Sequence, residues 1–151
     1  MEAIPPHFEL LVQVLAERIG APLDAAEGSV VLADDAGAMQ LAIELAADEK
    51  RIYAVVPVVS FEAAQPLGES ALQLLQLNAD REALRGATVA ADGAREQFCL
   101  IQEMPLDTDP VAFIEWIESL ATLSRQLRAT VVSAAPGTGD AGLAALMQQR
   151  V

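Results

Sequence analysis

The chain has 151 residues, 53% of them hydrophobic, with 22 acidic residues against nine basic ones and a formal net charge of -13. Nucleic-acid binding is excluded in practice, because phosphate contacts need clustered Lys and Arg. A membrane span is excluded too: the longest apolar run, from Ala54 to Val59, contains Pro57 and falls far short of the ~18 residues required.

The first element predicted is a helix over residues 7–19. Phe8, Leu11, Val12, Leu15 and Ile19 recur at the three-and-four spacing of one helical face. Pro5 and Pro6 prevent backward extension, and Gly20 suits a left-handed C-terminal cap ahead of Pro22. Leu10 and Val14 fall off the main stripe and widen the apolar surface. The period then changes to two. A short strand is expected at 29–33, followed by an Asp34-Asp35-Ala36-Gly37 turn. Met39, Leu41, Ile43 and Leu45 alternate with Gln40, Ala42 and Glu44, the pattern of a half-buried strand. After a turn at 47–50, residues 51–59 form a third strand with both phases apolar. Ile52, Ala54, Val56 and Val58 lie on one side, and Tyr53, Val55 and Val59 on the other. Such a strand needs cover on both faces.

A second helix is expected over 66–78, with Leu67, Ala71, Leu74, Leu75 and Asn78 on one stripe and Leu72 and Leu77 elsewhere. Its nearly all-round apolarity indicates burial within or between protomers. Strands at 87–91 and 95–104 are joined at Asp92-Gly93, a hairpin signal. The last helix runs over 110–128, capped by Asp109 with Pro110 in its first turn, and carries Phe113, Ile114, Trp116, Ile117, Leu120, Leu123 and Leu127. From Ala129 the composition shifts, and 129–151 reads as a flexible tail with a linker-like break at Gly137-Thr138-Gly139 and a short amphipathic stretch at 142–149. The order α-β-β-β-α-β-β-α, with hairpin-joined strands and separate helices, indicates an α+β fold on an antiparallel sheet, with one domain over 1–128.

The residues offer little for catalysis. His7 is the one histidine, placed at a helix start where the dipole disfavours imidazolium, and it reads as a solvated terminal residue. Cys99 is the one cysteine, so no internal disulfide or zinc spacing exists; within an apolar run it reads as a small buried hydrophobe, with Arg95 as the one local cation. Asp34-Asp35, Asp48-Glu49 and Asp107/Asp109 fall in turns or at a helix start, where capping explains them. No catalytic residue, metal or cofactor is expected. The N-terminus lacks a positive charge ahead of an apolar run, so a cytoplasmic protein is expected.

Three stretches carry a resemblance. Residues 8–20 form an apolar stripe ending in Gly20. Residues 71–78 form a leucine-rich helix ending in Asn78. The strand at 98–106 leads into the helix bearing Trp116. In order and spacing they resemble the class I type III secretion chaperones, the CesT/Tir-chaperone family, over about residues 8–128. The resemblance implies a homodimeric cytoplasmic chaperone that binds the N-terminal region of a secreted effector without ATP and delivers it to the export apparatus. The secretion-apparatus ATPase is a further implied partner. On that basis Leu72, Leu74, Leu75 and Leu77 are the expected dimer interface. Leu10, Val14, Tyr53, Val55, Cys99 and Ile101 are the expected effector contacts. Core packing remains an alternative for each, and which sheet phase faces inward stays open. A stand-alone α+β interaction or regulatory domain without an export client is the main rival function, and a small carboxylate enzyme the second.

Overall fold

In the computed structural model, residues 3–48 and 50–133 are described. The expectations for the 134–151 tail, including the Gly137-Thr138-Gly139 break, fall outside them, as does Glu49. Among the described residues, three α-helices and five strands follow the anticipated order. They are α1 (Pro6–Ile19), β1 (Ser29–Ala33), β2 (Met39–Leu45), β3 (Arg51–Ser60), α2 (Leu67–Gln76), β4 (Thr88–Asp92), β5 (Gln97–Pro105) and α3 (Pro110–Ser133). The strands form one antiparallel sheet in the order β1-β2-β3-β5-β4.

Packing divides the chain into two compact units, Met1–Val55 with Gln102–Ser119, and Val56–Ile101 with Leu120–Val151. In the first, α1 buries Phe8, Leu11, Val12 and Leu15. Its end is set by Gly20, whose φ of 73° is the left-handed cap that a side chain would disfavour. Phe113 and Trp116 of α3 lie 5.9 Å apart, centroid to centroid, in the same unit. The register Val30↔Ile43↔Ala54 aligns buried side chains across β1, β2 and β3. Ile52, Ala54, Val56 and Val58 are the inward phase of β3, and Tyr53, Val55 and Pro57 are only half-buried. From Ile52 to Val58 the alternation therefore identifies the two faces that the sequence left equivalent, whereas Val59, expected with Tyr53 and Val55, is buried. The turn after β1 forms as expected. The Asp34 carboxylate accepts the amides of Ala36 and Ala38, and Gly37 takes a φ of 82°.

In the second unit, Leu74, Leu77, Leu84, Val89, Phe98, Leu100, Leu123 and Leu127 are buried, and Phe61 meets Phe98 edge-on at 5.1 Å. Ser124 Oγ donates to the Pro57 carbonyl at 2.5 Å, and Arg128 Nε to that of Val58 at 2.6 Å.

Several boundaries differ from expectation. α3 continues past Arg128 to Ser133, because Val131 follows Leu123 and Leu127 on the buried stripe. The connection after β4 is not a two-residue turn. β4 and β5 close on Asp92↔Gln97, and the left-handed residue is Glu96 (φ 50°) rather than a glycine. Asp92 organises this longer loop, its Oδ1 accepting the amides of Ala94 and Arg95. α2 also rotates relative to the anticipated stripe. It buries Ser70 and Leu74, a 3-10 turn (Leu77–Ala79) carries Leu77 onto the same side, and Leu75 is left outside.

Candidate protein-binding surfaces

α1 presents Leu10 (42% exposed) and half-buried Val14 one turn apart on its outward face, beside Glu9, Gln13 and Glu17. The helix is held at both ends. His7 Nε2 lies 2.9 Å from the Thr108 carbonyl, and Arg18 pairs with Glu118 across 2.5 Å. His7 is therefore half-buried and engaged, not a solvated terminal residue: its ring is turned onto the loop before α3. His7, Lys50, Leu106 and Asp107 line a cavity of about 580 Å³. Among the described residues no group of three His, Cys, Asp or Glu side chains could hold a metal ion.

On β3, Tyr53 and Val55 share the half-buried face, opposite Glu44 and Ala42 of β2. On β5, Cys99 and Ile101 share a face opposite Ala90 and Thr88 of β4. Ile101 is half-buried, but Cys99 is only 2% exposed and gives a client no contact surface. Its thiol lies 3.7 Å from the Ala90 carbonyl, and burial pushes it up to about 11, with Asp92 adding to the rise and Arg95 opposing it. A thiol so raised is a poor nucleophile.

The four leucines of the second helix separate. Leu74 and Leu77 are 1% and 2% exposed inside the protomer, on the side where the helix and its 3-10 turn meet β4. Leu72 and Leu75, at 60% and 47%, lie three residues apart on the opposite side with Glu69 and Gln76. The expected interface patch thereby reduces to Leu72 and Leu75, because the other two are already covered by their own chain.

Two exposed apolar residues escaped the sequence reading, Val31 on β1 (51%) and Val111 in the first turn of α3 (66%), and Ile19, expected on the apolar stripe of α1, is 37% exposed. The signal for Val31 was present, since Val30, Val31 and Leu32 make β1 apolar on both phases. Exposed charge is organised locally. Arg51 bridges Asp48 and Glu103, and Arg95 pairs with Asp92. The Lys50 amide first, and then the Arg51 guanidinium, hold the Asp48 carboxyl below its ordinary range, while the Arg95 side chain does the same for Asp92. None of the described helices is long and apolar enough to cross a membrane.

No curated protein sequence matches the chain. Among solved structures, a chain of the ExsC-ExsE complex superposes with a TM-score of 0.71 at 19% identity, covering 89% of this chain and 100% of its own. A chain of the HopA1-SchA chaperone-effector complex gives 0.63 at 13% identity, covering 82% and 94%. A chain of the ExoU-SpcU heterodimer from the type III secretion system of Pseudomonas aeruginosa gives 0.54 at 25% identity, covering 83% and 97%. The first two likenesses speak to the fold alone. The model of the Tir chaperone protein (CesT) family matches residues 10–128, most of the chain, and on that ground the chain belongs to this family.

Proposed function

We propose that this protein is a cytoplasmic chaperone of a type III secreted effector. It acts as a homodimer, holds the N-terminal segment of the effector in an export-ready form without ATP, and hands it to the export apparatus, with the apparatus ATPase as a further partner. The observation that carries this reading is the family match over 10–128. The type III secretion complex among its structural likenesses supports it. So do two of the places where apolar side chains reach the surface, Leu72 and Leu75 on α2 and exposed Leu10 beside half-buried Val14 on α1. A protein that keeps a client unfolded must cover the client's own apolar segment, so it needs such surface. A symmetric pair brings one patch against itself, which suits the short stripe on α2.

Co-expression with a neighbouring secreted protein tests the reading. The chaperone co-purifies with the N-terminal region of that protein and keeps it soluble, with or without ATP. A client equally soluble in its absence, or one that never co-purifies, overturns it. The interface has its own test. Leu75→Asp turns the dimer into monomers by light scattering, and an unchanged mass refutes the assignment.

A further inference from the structure

The cavity lined by His7, Lys50, Leu106 and Asp107 takes no part in the surfaces assigned above. Its volume of about 580 Å³ falls within the roughly 300–1,000 Å³ of small-ligand sites. The backbone brings its walls together. β3 and β5 are neighbours in the sheet, so the residue before β3 meets the residue after β5, and the Leu106 amide donates to the Lys50 carbonyl at 2.9 Å. Beyond Leu106 the chain turns towards α3. Thr108 closes this turn, its amide and its hydroxyl both donating to the Pro105 carbonyl, at 3.2 and 2.6 Å. His7 reaches the same turn from α1 and donates to the Thr108 carbonyl. Residues from three parts of the chain thus share one hydrogen-bonded frame, and all of them belong to the first compact unit.

The frame carries one charge of each sign. Lys50 supplies an ammonium and Asp107 a carboxylate, and both residues are exposed. Among the described residues neither side chain makes an ion pair, whereas Arg18, Arg51 and Arg95 each hold an acid. Asp48, two residues before Lys50, is taken by Arg51. Buried Leu106 adds an apolar wall. This set suits neither of two simpler occupants. An inorganic anion finds a single cation together with the like charge of Asp107. A divalent cation finds a single carboxylate together with the like charge of Lys50, where several oxygen ligands are needed.

We propose that this cavity is a binding site for a small zwitterion with an apolar body, of the class of the branched or aromatic α-amino acids. The ligand carboxylate pairs with Lys50, its ammonium with Asp107, and its side chain lies against Leu106. A zwitterion answers both charges at once and adds no net charge to a chain that already carries -13. The two charge-assisted contacts set the orientation, and the apolar body selects among amino acids. The site is separate from the leucines of α2 and from Leu10 and Val14, and it does not depend on the effector-holding function proposed above.

The test uses the full chain with L-leucine and L-phenylalanine at millimolar concentration, followed by nuclear magnetic resonance. His7 is the one histidine and Lys50 the one lysine, so the ring protons of the first and the terminal methylene of the second are unambiguous reporters of the cavity. Either amino acid shifts both sets of resonances saturably, and calorimetry gives one site per protomer. N-acetyl-leucine lacks the ammonium and leucinamide lacks the carboxylate, and each binds about tenfold more weakly than leucine. Alanine, without the apolar body, is weaker by a similar factor. Lys50→Met removes the preference for leucine over leucinamide, and Asp107→Asn removes the preference for leucine over N-acetyl-leucine. Both positions are exposed, so the two variants keep the wild-type circular dichroism. Resonances that stay in place, equal affinity for leucine and its two analogues, or variants that retain both preferences overturn the proposal. Equal shifts from ammonium acetate would mean general screening of two exposed charges, and they overturn it as well.

Discussion

Individual residues here act mostly through burial and through capping. Cys99 is the clearest case. Its thiol is raised from 9.0 to about 11, so the fold favours the protonated form over the thiolate. That contribution to stability is fully present below pH 9 and is lost as the pH rises from 9 to 11. The wild type should therefore lose more stability over this interval than Cys99→Ala, which removes the group. Parallel urea curves across the interval would contradict the assignment. A disulfide-exchange reagent at pH 8 should label native Cys99 about a hundredfold more slowly than the unfolded chain, from the thiolate fraction alone. Asp109 shows capping at work: its Oδ2 accepts the amides of Val111 at 3.0 Å and Ala112 at 3.2 Å. Asp109→Ala should cost about 1 kcal/mol in a urea titration, and a change near zero would mean that solvent caps α3 equally well.

At the scale of the element, α2 separates two kinds of leucine that look alike in sequence. Leu74→Ala empties a site inside the protomer and should destabilise by roughly 2–5 kcal/mol. Leu72→Ala touches an exposed position, and in dilute, monomeric protein it should stay within about 0.5 kcal/mol. Equal costs for the two would mean that the helix is seated on a different face. The order of elements was legible because the periods change cleanly, from three-and-four over α1 to two over β2, and because Gly20, Gly37 and Asp109 mark their ends. The phase of α2 was not, since Leu72, Leu74, Leu75 and Leu77 are chemically equivalent and a 3-10 turn at its end defeats a simple helical count. The exit of α3 was hidden for a similar reason. Ala129 and Thr130 resemble a linker, and Val131 four residues after Leu127 becomes informative only once the buried stripe is known. The contact surfaces were half legible. Leu10 and Val14 stood out by leaving their stripe, whereas the burial of Cys99, the exposure of Val31 and the pairing of Asn78 with the Val89 backbone depend on register and sheet order, which one sequence does not carry.

For the whole molecule the governing quantity is charge. Each protomer carries -13, so the proposed homodimer brings like charges together, and the apolar contact proposed through Leu72 and Leu75 must exceed that repulsion. A synthetic peptide flanked by lysines feels the same field as attraction. The two associations should therefore respond to salt in opposite senses. The Debye length shrinks from about 10 Å at 0.1 M to about 3 Å at 1 M, which removes repulsion between protomers and attraction to the peptide alike. Sedimentation of the empty protein across this range should show the dimer holding or tightening as salt rises. Stopped-flow mixing with the lysine-flanked peptide, followed through the lone tryptophan Trp116, should show association slowing about tenfold or more over the same range. A glutamate-flanked peptide should behave oppositely, because screening relieves its repulsion. A dimer that falls apart with added salt would mean that ion pairs rather than Leu72 and Leu75 hold it. A peptide whose association ignores salt would mean that the excess of acid serves solubility and has no part in recognising the client.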